Sequence, residues 1–244
     1  MLRNWAKNHI FKTFLFGCFG LVVITNSVGN VSPATFTTES RAETSNSATL
    51  DASTNAILNE DMNSLDCDQL KVDARTYGVD YRFILAIIKQ ESQFDENAVS
   101  KCGARGLMQI MPQTNMELNE ELDLVETQLP AQNVVAGIYY FSKLYDLFEG
   151  ANREDRLKLA LASYNAGPSR IYDAQELAAY FGEDPSKWSA IQNMLPLLSK
   201  RFYSLHELVW KGSKPPAGYF GGWRQTTMYV DAVMKTYRRY STGS

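Results

Sequence analysis

The chain has 244 residues, of which 45% are hydrophobic and 12% aromatic, enough apolar surface for one folded core. Its net charge at pH 7 is −3, so it has no general electrostatic attraction for nucleic acid. We therefore expect no nucleic-acid partner, and recognition by a shaped cleft instead of by bulk charge.

The N-terminus has the pattern of an export signal. Three basic residues precede an apolar run at 14–24, and small residues at 27–29 suit cleavage before Asn30. The alternative is a retained membrane anchor, although a spanning helix usually needs ~20 apolar residues and this run is shorter. Lipid attachment at Cys18 is disfavoured because strongly apolar residues follow it. We predict a signal peptide or an N-terminal membrane anchor at 1–29, and a location in the periplasm or cell envelope.

The next segment, residues 30–65, is rich in Ser, Thr, Asn and Ala and has few large apolar side chains. Such a composition is typical of a flexible tether. Without residues 1–29 the chain carries 21 basic and 27 acidic residues, a net charge of −6. Residues 66–244 fit one domain in size, and we expect this domain to be a monomer.

Two cysteines, Cys67 and Cys102, remain once the signal is removed. An exported protein with two cysteines permits one disulfide between them; the alternative is two buried thiols. The two histidines of the chain, His9 and His206, belong to no cluster with metal-ligand spacing. We therefore expect a Cys67–Cys102 disulfide, no metal site, and His206 on the surface or in a loop.

Helical patterns dominate from residue 66 onward, and strand-like alternation is rare. Helices are predicted, in chain order, over 67–77, 81–92, 133–148, 156–165, 169–180, 188–198 and 226–240. Gly and Pro recur between 211 and 222, which predicts a long loop before the last helix. The predicted fold class is mainly α, one compact domain built around a central cleft.

Glu91 occupies an unusual position for a carboxylate. A helix advances about 100° per residue, so Glu91 shares a face with Ile84, Ile87 and Ile88. Burial beside these side chains would disfavour the charged form and raise the pKa of Glu91, which a general acid needs near neutral pH. The alternative is a structural glutamate at a helix end that reaches solvent or pairs with a cation.

Two later segments have compositions that suit a binding cleft. The apolar run 107–111, which follows Glu91 in the chain, is preceded by Gly103 and Gly106 and followed by Pro112. Tyr164 and Asn165 end a predicted helix and can donate hydrogen bonds without adding charge, as sugar recognition requires.

Four groups of residues together resemble the soluble lytic transglycosylase family. They are Glu91–Phe94 with Asn97–Ser100 and Gly103–Pro112; Asn133, Gly137 and Tyr140; Ser163–Gly167; and Tyr229–Val230. The segment 173–199 further resembles the catalytic module of the membrane-bound lytic transglycosylase F family. Ser163 stands where the family usually has alanine, and Glu96 where it often has proline. Neither departure removes a group that the chemistry needs.

The resemblance implies a lysozyme-like fold, as in goose-type lysozyme, and non-hydrolytic cleavage of the β-1,4 bond between N-acetylmuramic acid and N-acetylglucosamine in peptidoglycan. It implies no cofactor. Glu91 would be the sole catalytic carboxylate, and Tyr229 would orient it by a hydrogen bond. The saccharide subsites would be lined by Ser100, Gln109, Met111, Tyr164 and Asn165.

A single carboxylate changes the expected reaction, because most glycosidases use two. Glu91 would protonate the leaving oxygen and then take the proton of the muramoyl 6-hydroxyl, which closes a 1,6-anhydro ring. Asp95 and Glu96 follow the helix and are not expected to act. Two alternatives remain: a goose-type lysozyme-like hydrolase, and a non-catalytic peptidoglycan-binding module.

Overall fold

A computed structural model describes residues 66–123 and 129–242. The predicted signal or anchor at 1–29 and the predicted tether at 30–65 lie outside the described residues. Apart from isolated bridges of Arg105 with Val99 and Ile110, the regular elements within the described residues are helices. The prediction of a mainly α fold is therefore confirmed.

The α-helices of the described residues are numbered here in chain order. They are α1 (Cys67–Thr76), α2 (Tyr81–Glu91), α3 (Pro112–Leu122), α4 (Pro130–Asp146), α5 (Arg153–Ala166), α6 (Pro168–Tyr180), α7 (Trp188–Met194), α8 (Tyr203–Val209) and α9 (Trp223–Thr242). Two short 3-10 helices, Leu195–Leu198 and Lys200–Phe202, lie between α7 and α8.

Two helices, α3 and α8, were not predicted from the sequence. The helix α3 is mostly polar and buries only Thr114 and Leu118, so it has no apolar stripe to reveal it. Its first residue is a proline, which is compatible with a helix start although it resembles loop punctuation. The predicted helix at 188–198 is split at Leu195, because Pro196 lies in the 3-10 turn that follows α7.

Helix α2 runs through the core and ends at the candidate catalytic residue. All six residues from Phe83 to Ile88 are buried, at 1% exposure or less. Asp80 caps the helix by accepting a hydrogen bond from the Arg82 backbone N–H at 3.0 Å. Helix α9 packs along both α2 and α5. This packing fixes the direction in which the last turn of α2 points.

The expected Cys67–Cys102 disulfide is not formed in the structure, where both side chains are thiols. Cys67 begins α1 and packs against the hydrophobic core, while Cys102 lies in a turn of the loop that follows α2. Burial raises the pKa of the Cys67 thiol, which disfavours the thiolate that disulfide formation requires.

The interpretation of His206 as a surface or loop histidine is wrong. His206 lies on α8 and is fully buried, with Nε2 2.7 Å from the carbonyl oxygen of Leu197. The apolar residues Leu205 and Val209 of this short helix pack only partly buried against the core, whereas the polar His206 is its fully buried residue. Among the helices described, none combines the length and apolar character needed to cross a membrane.

Candidate active site

Glu91 is the last residue of α2 and is partly exposed. The hydroxyl of Tyr229, on α9, donates a hydrogen bond to Glu91 Oε1 at 2.6 Å. Burial raises the pKa of Glu91 to about 7, and the hydrogen bond from Tyr229 limits the rise. With this pKa, both the acid and the carboxylate are well populated near neutral pH, as the sequence pattern predicted.

Tyr164 lies in the last turn of α5 and is close enough to Glu91 for the two groups to interact electrostatically. Burial, followed by the charge of Glu91, raises the pKa of Tyr164 well above its usual value. The Tyr164 hydroxyl donates to the Met108 carbonyl oxygen at 2.8 Å. Its only proton is therefore used within the protein, so Tyr164 can offer a ligand an acceptor and not the donor expected from the sequence.

Asn165 follows Tyr164 and contacts α9. Its Oδ1 accepts a hydrogen bond from the Thr226 hydroxyl at 2.8 Å. Thr226 is fully buried and was not singled out from the sequence. Its position one helical turn before Tyr229 is the signal that would have found it, because residues three apart share a helix face.

Ser100 and Gln109 have contacts within the loop that connects α2 to α3. Ser100 Oγ accepts from the Ala104 backbone N–H at 3.0 Å. Gln109 Nε2 donates to the carbonyl oxygens of Ala98 and Gly106, each at 3.0 Å. Among the described residues, the Ser100 hydroxyl proton and Gln109 Oε1 have no protein partner. Met111, the third predicted subsite residue of this loop, is partly exposed just before α3.

Asn133 on α4 holds this loop in place. It is 2% exposed, its Oδ1 accepts from the Met108 backbone N–H at 2.9 Å, and its Nδ2 donates to the Arg105 carbonyl at 3.1 Å. Gly106 has a φ of 76°, and a Cβ there would lie 2.7 Å from the Asn133 amide. The close approach of loop and helix therefore requires glycine at 106.

Part of this chain is similar to a known protein family. Residues 69–185 match the model of the family described as Transglycosylase SLT domain. This part of the chain belongs to the SLT family. The matched residues include Glu91, the loop that follows it, and Asn165, whereas Thr226 and Tyr229 lie beyond them.

Curated relatives of the SLT domain include two proteins named membrane-bound lytic murein transglycosylase F. The protein from Desulfosudis oleivorans is 40% identical over 131 residues, which are 53% of this chain and 28% of that protein. The protein from Alkalilimnicola ehrlichii is 38% identical over 167 residues, which are 68% of this chain and 31% of that protein. The chain thus spans less than a third of the length of these relatives.

Solved structures similar to this chain include two lytic transglycosylases. The 70 kDa soluble lytic transglycosylase from Escherichia coli is 23% identical, with a TM-score of 0.48, over 72% of this chain and 24% of that chain. An inactive mutant of lytic transglycosylase Slt from Pseudomonas aeruginosa is 28% identical, with a TM-score of 0.46, over the same shares of the two chains.

Another carboxyl group of the SLT domain, Asp173 on α6, is buried and only 3% exposed. Burial raises the pKa of Asp173 to about 7, and the Ala217 backbone N–H donates to its Oδ2 at 3.0 Å. Asp173 therefore fastens the loop between α8 and α9 to α6. Leu177, one helical turn later on the same face, is fully buried, which is the signal in the sequence that could have marked Asp173 as a carboxylate on an apolar face.

Proposed function

We propose that the SLT domain cleaves the glycan strands of peptidoglycan as a lytic transglycosylase, with Glu91 acting first as acid and then as base. The observation that carries this proposal is the Glu91 carboxyl itself: it is partly exposed, its pKa is raised to about 7, and Tyr229 holds Oε1 at 2.6 Å. The names of the curated relatives support the same activity.

In the first step, protonated Glu91 donates its proton to the oxygen that joins C1 of N-acetylmuramic acid to O4 of N-acetylglucosamine. The C1–O4 bond breaks, and the acetamido group of the substrate supports the oxocarbenium-like carbon. In the second step, the Glu91 carboxylate takes the proton of the muramoyl 6-hydroxyl. O6 then bonds to C1 and closes the 1,6-anhydro ring, so no water is consumed.

The surroundings of Glu91 favour this one-carboxylate mechanism over a two-carboxylate hydrolysis. Within the described part of the chain, burial and Tyr229 account for the pKa of Glu91, and no second acid contributes to it. Asp95 is exposed, and its Oδ1 accepts from the Asn97 backbone N–H at 2.9 Å. Asp173 is occupied with the loop at Ala217. The proposal therefore assigns both steps to Glu91.

The remaining parts of the proposal concern the whole protein. Export to the periplasm or cell envelope by residues 1–29 would bring the domain to peptidoglycan, and retention of that segment would attach it to the membrane. The relatives are named as membrane-bound, which supports an envelope location. We propose that residues 66–244 act there as a monomeric catalytic domain, with Ser100, Gln109, Met111, Tyr164 and Asn165 in the saccharide subsites.

The experiment is digestion of purified peptidoglycan by the protein and by Glu91→Gln, with mass analysis of the products. We expect anhydro ends from the protein and nearly complete loss of lysis in Glu91→Gln. Asp95→Asn, which also removes one nearby carboxylate, is the matched control and should keep full lysis.

Each alternative function predicts a different result in the same assay. Products heavier by one water would identify a lysozyme-like hydrolase and reject the transglycosylase mechanism. Binding to peptidoglycan without any product would identify a non-catalytic module. Substantial residual lysis by Glu91→Gln would reject Glu91 as the catalytic residue.

A further inference from the structure

Helix α9 contributes two polar side chains to the candidate active site from one face. Thr226 and Tyr229 are both buried and lie three residues apart, which places them one helical turn from each other. Tyr229 donates to Glu91, and Thr226 donates to Asn165. One rigid helix therefore holds both the candidate acid and a predicted saccharide-binding amide.

The hydrogen bond of Thr226 differs from those of three other threonines that lie in helices. Thr76, Thr227 and Thr242 each donate to a carbonyl oxygen of their own helix, three or four residues earlier, at 2.9 to 3.0 Å. Such bonds within the helix are the common outcome for threonine. Thr226 instead donates across to α5, so the Asn165 contact is not a by-product of helical geometry.

The hydrogen bond from the Thr226 hydroxyl engages the oxygen end of the Asn165 amide. A side-chain amide has one oxygen acceptor and one NH2 donor group, and a half-turn exchanges them. Since Thr226 donates its proton to Oδ1, Nδ2 is the end of the amide that Thr226 does not engage. Asn165 is partly exposed, and in the described part of the chain no protein acceptor holds Nδ2. Among the described residues, both N–H groups are therefore free of protein acceptors.

The hydrogen-bonding groups that Tyr164 and Asn165 leave for a ligand indicate which kind of ligand group fits beside them. Tyr164, the neighbour of Asn165, has used its proton on Met108 and offers only an acceptor. Asn165 thus becomes the uncharged donor of this pair. An amide NH2 fixed in this way suits an oxygen acceptor of the sugar, such as a hydroxyl or an acetamido carbonyl.

We propose that Thr226 is a positioning residue of the active site: it fixes the Asn165 amide so that Nδ2 donates to an oxygen of the glycan. This inference depends on the proposed function, which supplies the glycan as the ligand. Thr226 itself is fully buried and does not touch the substrate, so its effect on turnover must pass through Asn165.

The test is a double-mutant cycle on kcat/KM with purified peptidoglycan, using Thr226→Val, Asn165→Ala and the double variant. Loss of one uncharged hydrogen bond predicts a fall of about three- to tenfold for Thr226→Val. The double variant should be no slower than Asn165→Ala alone, and Thr226→Ser should restore activity to within about twofold. Thr227→Val, on the same helix turn, is the matched control and should keep full activity.

Multiplying effects in the double variant would show that Thr226 acts independently of Asn165 and would overturn the inference. An unchanged kcat/KM in Thr226→Val would do the same. Thermal unfolding of each variant identifies any that lose the fold, and Thr226→Ala replaces Thr226→Val in that case.

A measurement that needs no turnover separates this inference from the proposed function. In ¹H–¹⁵N NMR spectra, the side-chain NH2 pair of Asn165 is assigned by its absence from Asn165→Ala. We expect this pair to move or broaden in Thr226→Val and to stay in place in Thr226→Ser and Thr227→Val. An unchanged pair in Thr226→Val would overturn the positioning role even if the domain cleaves peptidoglycan as proposed.

Discussion

The raised pKa of Glu91 predicts that Glu91→Gln stabilises the protein in alkaline solution. The pKa rises from an ordinary value of 4.5 to about 7 on folding, so the folded state prefers the protonated form. A carboxyl group of this kind favours the folded state most at low pH, and that contribution is lost as the pH rises through 7. One pKa unit corresponds to about 1.4 kcal/mol, so the ionised carboxylate costs about 3 kcal/mol well above pH 7. Glutamine has nearly the same shape and does not ionise.

The measurement is urea unfolding of the protein and of Glu91→Gln at pH 5 and at pH 8.5. The stability difference should be below about 1 kcal/mol at pH 5 and about 3 kcal/mol in favour of Glu91→Gln at pH 8.5. Asp173 has a raised pKa in both proteins, so its contribution cancels in the difference. Asp95→Asn controls for the removal of one acidic residue. A stability difference that does not change between the two pH values would refute the burial argument for Glu91.

Three further predictions follow from named contacts. Tyr229→Phe removes the hydrogen bond that limits the pKa of Glu91, so this pKa should rise further. As a result, the alkaline limb of the pH–activity profile should move to higher pH, and kcat should fall about tenfold. Gly137→Ala places a Cβ 2.6 Å from Met108 Cβ. The resulting strain of about 1–3 kcal/mol should exceed the ~1 kcal/mol gain in helix propensity, so the variant should be less stable. Urea unfolding measures the stability change, and Gly150→Ala, where a Cβ meets open space, is the control. Asp173→Asn should be more stable than the unmodified protein between pH 6 and pH 8.5, because burial disfavours the charged carboxylate that Asp173 forms in this range. A loss of stability across that range would mean that the charge is needed to hold the Ala217 backbone N–H.

The sequence predicted the elements that have a dense apolar stripe. Helix α2 was found because its buried residues are consecutive and aliphatic, and the same stripe showed Glu91 to be a misfit. Helix α3 was missed because a mostly polar helix leaves no periodic signal. His206 was misplaced because the polar residue of its short helix is fully buried, while the apolar Leu205 and Val209 beside it are only partly buried.

The contacts of the site could not be derived from residue spacing, because they join distant parts of the chain. Tyr229 and Glu91 are 138 residues apart, and Thr226 and Asn165 are 61 apart. The family resemblance suggested the first contact, and the structure contains that hydrogen bond; its role in catalysis stays a prediction. Nothing in the sequence suggested the second contact. The disulfide was expected from the number of cysteines, but it is not formed, because that number says nothing about the distance between Cys67 and Cys102 in the fold.

The location of Glu91 at the end of α2 would allow one residue to serve as both acid and base in the proposed mechanism. The last turn of a helix carries partial negative charge, which disfavours a carboxylate there and adds to the effect of burial. Tyr229 acts in the opposite direction, because its hydroxyl donates to Oε1 and stabilises the carboxylate. Burial of six consecutive residues in α2, worth roughly 1.5–3 kcal/mol for each large aliphatic side chain, keeps the helix in place despite the misfit. The two opposing effects leave the pKa near 7 instead of at either extreme, so the same carboxyl group can release a proton and take one back.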